Sequence, residues 1–177
     1  FLVVCFGLGA ATAVMIGKAI GEGADREELM ALSRTLSWVT ILVGAVLAVI
    51  ALVLVPLLFQ PVIFPLFKLE GLSAHLATTL IVTGFACIPL HAYSISAVTG
   101  ILRAGGDVFW STALDLGPQW LVALPLTALL GLVLDADPWF ISLAIQMESF
   151  VKCPICLWRI RSKQWIHDVT LPEGETQ

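Results

Sequence analysis

The chain has 177 residues, of which 59% are hydrophobic and only 12% charged, against roughly a quarter charged in a soluble domain. With a mean hydropathy of +0.98, this excludes a soluble globular protein. The net charge of -4 comes mostly from loops and from the tail around Glu173 and Glu175, which excludes a basic nucleic-acid-binding surface.

Four apolar runs, at about 36–58, 76–98, 108–134 and 139–158, each approach the ~20 residues a helix needs to cross a bilayer. The expected fold is an all-α, polytopic transmembrane helix bundle. Phe1 to Ile16 is apolar but shorter than a full span, so it reads as the end of a helix that begins upstream. It does not read as a signal peptide, because no basic residue precedes it and no small-residue cleavage site follows before the acidic cluster at Asp25 to Glu28. Beyond the glycine-rich segment Gly17 to Gly23, Asp25 can cap a new helix and Glu28 can complete a capping box. That segment then merges without a breaker into the 36–58 run. Pro56, Pro61 and Pro65 are expected to end this span and keep the outer loop irregular, with Lys68 and Glu70 marking the water side.

The later runs carry internal prolines, at Pro89, Pro118, Pro125 and Pro154, each of which frees a carbonyl that a neighbouring helix, a water or a cavity must satisfy. Small and polar residues such as Thr83, Gly84, Ser94 and Ser96 interleave the spans and serve close packing or a water-lined cavity. The gap at Asp135 to Pro138 holds no positive charge, whereas the gaps with Lys18, Arg26 and Arg34, with Arg103, and with Arg159, Arg161 and Lys163 are basic. Placing the basic gaps in the cytoplasm leaves only Lys68 outside. Lys152, near the same end of the last run, is expected to snorkel toward that face.

Ionisable groups inside spans are the sequence's best pointers to function, since an unpaired charge in hydrocarbon costs several kcal/mol. Asp115 lies about two turns into the third run, Glu148 near the middle of the fourth, and His91 and Tyr93 near the middle of the second. Glu148 and Lys152 are four apart, on one helix face, and suit either a self-neutralising pair or a carboxylate that binds a cation or proton. Asp115 can hydrogen-bond the backbone near Arg103 and Asp107, and His91 and Tyr93 fit a polar cavity wall. Cys5, Cys87, Cys153 and Cys156 all lie in apolar stretches, so no disulfide framework is expected, and one Cys-Pro-Ile-Cys spacing alone is weak evidence for metal or redox chemistry. No nucleophile–base constellation or phosphate-cradling loop appears. An enzyme is not expected, and any transport is expected to run on an ion gradient.

Four landmarks together resemble the C-terminal half of the multidrug and toxic compound extrusion (MATE) family of antiporters. They are Ile-Gly-Lys-Ala-Ile-Gly-Glu-Gly at Ile16 to Gly23, Gly-Ile-Leu-Arg-Ala-Gly-Gly-Asp at Gly100 to Asp107, Leu-Pro-Leu at Leu124 to Leu126, and the basic, Trp-containing end Arg159 to Trp165. The resemblance implies two six-helix lobes around a central cavity. Residues 1–165 would form part of the second lobe, 166–177 a cytoplasmic tail, and the N-terminal lobe would be missing. It further implies export of cationic or amphipathic compounds in exchange for sodium ions or protons, from a bacterial inner (cell) membrane with its lipids as surroundings and no other cofactor.

On this reading His91, Tyr93, Asp115, Gln119 and Glu148 are cavity candidates, while Gly17, Gly21, Gly100, Arg103, Gly105, Asp107 and Lys152 are structural. Lys18 stands where the family more often has an uncharged polar residue. Ala92 to Ser96 lacks the cation-binding Asp of one family branch, so that site is not expected in its familiar form, and coupling acids would lie upstream of Phe1. Alternatives are a lipid-linked oligosaccharide flippase of the same superfamily, which would need a strongly cationic cavity, and a non-transporting membrane scaffold.

Overall fold

The computed structural model describes residues 1–134 and 136–166. Asp135 and the expected tail beyond Ile166 lie outside the described residues. The described chain is helical: α1 (Leu2–Gly21), α2 (Arg26–Leu66), α3 (Leu72–Ala86), α4 (Ile88–Leu102), α5 (Val108–Val133) and α6 (Pro138–Arg161). Four of these, α1, α2, α5 and α6, are long and apolar enough to cross a membrane. The pair α3–α4, bent by 48° at Cys87, is together long and apolar enough for a fifth, broken span.

Glycine chemistry sets two of the turns. After α1, Gly23 has φ +75°, and the Ala24 and Gly23 N–H groups donate back to Ala19 and Ile20 at 3.0 Å each, a Schellman closure that satisfies the last carbonyls. The same closure follows α4, where Gly106 has φ +88° and the Asp107 and Gly106 N–H groups reach Leu102 at 3.0 Å and Arg103 at 3.2 Å. Asp25 caps α2 by accepting from the Arg26 N–H at 2.8 Å. Among the described residues neither bond of the expected capping box is made: Asp25 accepts from the first N–H of the helix and not from that of Glu28, and Glu28 does not reach back.

Prolines do not end the second span as expected. α2 continues through Pro56, Pro61 and Pro65 to Leu66, and Val55–Ile63 winds as a π-helix. A proline has no N–H, and its ring crowds the carbonyl four residues back. Widening to i→i+5 bonds relieves that crowding and lets the next N–H take the freed carbonyl. The same device follows Pro118, where Gln119–Ala123 is π-helical. Pro89 acts differently, opening the second half of a broken span; the 76–98 run is two helices, not one.

α4 is the central element. Against α1, a methyl group on Gly100 would stand 2.7 Å from Thr12 Cβ, so only glycine allows this approach, and Thr12 and Thr40 hydroxyls converge on Ser96 Oγ at 3.0 and 3.3 Å. Against α2, Gly44 lies under Pro89 and Ala92. Phe1 meets Phe85 at the bend, so α1 runs alongside α4 and not along α3. α3 packs instead on α6, where Ser142 donates to Thr83 Oγ1 at 3.3 Å.

The bundle turns its polarity outward-in. Ser33, Thr40, Ser96, Ser111 and Ser149 are buried, while Trp38, Leu42, Val49, Leu121 and Leu132 are exposed. This is the distribution a helix bundle takes in lipid, where the surroundings are apolar and polar groups must be satisfied inside. The ends of α1, α4 and α6 and the starts of α2 and α5 meet at one end around Ile16, Leu29, Leu102, Ile160 and Trp165. Three basic gaps therefore share that end, and Lys68, between α2 and α3, lies at the other.

Candidate functional site

The in-span charges meet where α4, α5 and α6 converge. Lys152 Nζ on α6 donates to Glu148 Oε1, one turn earlier, at 2.7 Å, and stands 3.6 Å from Asp115 Oδ1 on α5. Asp115 Oδ2 accepts from the Arg103 guanidinium at 3.1 Å, and Arg103 Nε donates to Ser111 Oγ at 3.2 Å. Ser111 in turn donates to the Val98 carbonyl of α4 at 3.2 Å. Helical period explains the α5 partners, because Ser111 and Asp115 are four apart and share a face.

Two carboxylates and two cations make this cluster neutral. Its exposure is graded: the Arg103 and Asp115 side chains are 47% and 39% exposed, Glu148 24% and Lys152 9%. Lys152 therefore does not snorkel to the basic end as expected. With an acid within reach on each of two helices, its ammonium is compensated inside the bundle, where an isolated charge would be costly. Asp115 binds the Arg103 side chain and not the backbone of that turn. One residue beyond Glu148, Ser149 Oγ lies 3.0 Å from His91 Nδ1, which ties α4 to the same stretch of α6.

The remaining candidates separate from this cluster. Tyr93, two residues from His91 and so about 200° around α4, faces α2 and the Cys153 side of α6 and does not share a wall with His91. Gln119 is exposed, and among the described residues its side chain makes no hydrogen bond. Gly17 and Gly21 border open space, whereas a methyl group on Gly105 would overlap the Trp165 ring. Asp107 accepts from Arg159 Nε at 2.7 Å, and the Arg159 guanidinium lies 5.0 Å over the Trp110 ring. This buried clamp fastens the α4–α5 turn to the end of α6. Ser111, Ser149 and Gly106 were not among the sequence candidates. The spacing of Ser111 from Asp115 was a usable signal, but the Ser149–His91 contact depends on helix packing and had none.

No family model, curated protein or solved structure matches this chain.

What the cluster can do chemically follows from the position of Lys152 between acids of two different helices. A proton or cation that occupies the Glu148 carboxylate competes with the ammonium, which then has Asp115 as its remaining acid. The pairing within α6 is exchanged for one between α5 and α6.

Proposed function

We propose that this chain is part of the C-terminal lobe of an ion-coupled secondary transporter, similar to MATE antiporters, that exports cationic or amphipathic compounds in exchange for sodium ions or protons. The observation that carries this reading is the Glu148–Lys152–Asp115 network, a shared ammonium between carboxylates on two spans. Ionisable residues within spans are costly, pair with one another, and line ion pathways and proton relays. The four sequence landmarks support the family reading; within the second of them Gly105 and Asp107 hold a tight turn against the end of α6, and Gly100 packs α4 against α1.

Coupling on this reading is reciprocal. An ion that takes Glu148 releases Lys152 toward α5, and a cationic substrate competes for the same negative charge, so each binding event favours the arrangement that expels the other. The test is efflux of a fluorescent lipophilic cation from cells carrying the whole transporter, with Glu148→Gln compared against wild type under separate sodium and proton gradients. Loss of efflux at equal membrane abundance is expected, and the gradient that drives wild-type efflux names the ion. Efflux that survives Glu148→Gln under both gradients removes the network from the transport cycle.

A further inference from the structure

Tyr93 lines a feature that the charge network does not use. Between α2, α4 and α6, at the basic end, lies a cleft of about 790 Å³, within the roughly 300–1,000 Å³ typical of small-molecule sites. Its interior walls are apolar, and the exposed side chains of Arg34, Arg161 and Lys163 border it together with one acid, Glu27. Three cations against one acid leave two positive charges in excess, and among the described residues none of the three is in an ion pair. Trp38, 67% exposed, lies on the same lining, an aromatic suited to the headgroup level of a bilayer. The Tyr93 side chain, only 8% exposed, forms part of the inner wall.

We propose that this cleft holds one anionic phospholipid, with its phosphate among Arg34, Arg161 and Lys163 and an acyl chain along the apolar walls. Basic pockets between transmembrane helices take lipid headgroups in this way, and the two guanidinium forks match phosphate oxygens. Charge complementarity separates this occupant from a cationic drug, which the same rim repels. The site needs only the cleft and its charges, so it stands whether or not the chain transports.

Native mass spectrometry of the purified whole protein that carries this chain tests this with phosphatidylglycerol and phosphatidylcholine of identical acyl chains, and with inorganic phosphate as a competitor. Circular dichroism checks that every variant keeps its helicity. Wild type is expected to retain one phosphatidylglycerol in preference to phosphatidylcholine, undisplaced by phosphate. Each of Arg34→Gln, Arg161→Gln and Lys163→Gln is expected to lower that retention roughly fivefold. A Lys18→Gln, Arg26→Gln control removes charge from the same end outside the cleft and is expected to change nothing. Equal retention of the two lipids, displacement by inorganic phosphate, or a control that loses as much as the cleft variants overturns the proposal.

Discussion

Lys152 is the residue on which the interior electrostatics turn, because it is the least exposed member of a four-charge cluster and touches both acids. Removing it leaves Glu148 without its cation, and because Glu148 is partly exposed the cost falls below that of a fully buried pair, at about 1–3 kcal/mol. Lys152→Met is therefore expected to lower thermal stability in detergent by that order, while the double variant Glu148→Gln, Lys152→Met recovers much of the loss. A double-mutant cycle reads the coupling directly, and purely additive effects would count against the pairing. The spacing of Glu148 and Lys152 is legible from the sequence, since four residues on a helix are one turn. The approach of Asp115 is not, because it depends on how α5 lies against α6, which neither hydropathy nor spacing encodes.

Helices in this chain meet at glycines whose roles differ sharply, although the sequence presents them alike. Gly100 faces Thr12 so closely that an added methyl would push α1 from α4, whereas Gly17 borders open space. Gly100→Ala is expected to destabilise by about 1–3 kcal/mol through overpacking. Gly17→Ala, inside a helix with nothing to strike, is expected to gain roughly 0.5–1 kcal/mol. Thermal unfolding of the two variants side by side decides this, and similar shifts of the same sign would refute the packing assignment. Four apolar spans could be placed from hydropathy, but Phe1 to Ile16 reads as shorter than a span, whereas α1 runs Leu2–Gly21 and is long and apolar enough to cross, because the glycine-rich segment through Gly21 stays helical. The ends of the spans could not be placed in this way, because proline was read as a terminator at Pro56, Pro61 and Pro65, while the chain keeps its helix there by widening it. The break at Cys87 escaped notice for the opposite reason: Pro89 was one of several in-span prolines, and nothing local distinguishes a bend from a π-segment.

At the scale of the whole molecule, all the strongly basic termini and turns gather at one end and Lys68 lies at the other, so topology is directly testable. In a background with Cys5, Cys87, Cys153 and Cys156 replaced by Ala, Lys68→Cys is expected to react with a membrane-impermeant maleimide on intact cells, and Lys163→Cys only after permeabilisation. The reverse pattern would invert the orientation drawn from charge. The α3–α4 break has a mechanical consequence. Its first half, α3, packs on α6 and α2, and its second half, α4, packs on α1 and α2 and is also tied to α6 through His91–Ser149 and Ser94–Cys153. Pro89 contributes no N–H across the joint, so the ladder is already interrupted there in the resting arrangement. Bending at this joint is therefore opposed by side-chain contacts such as His91–Ser149 and Ser94–Cys153, because proline supplies no backbone bond there that a change of angle would have to break.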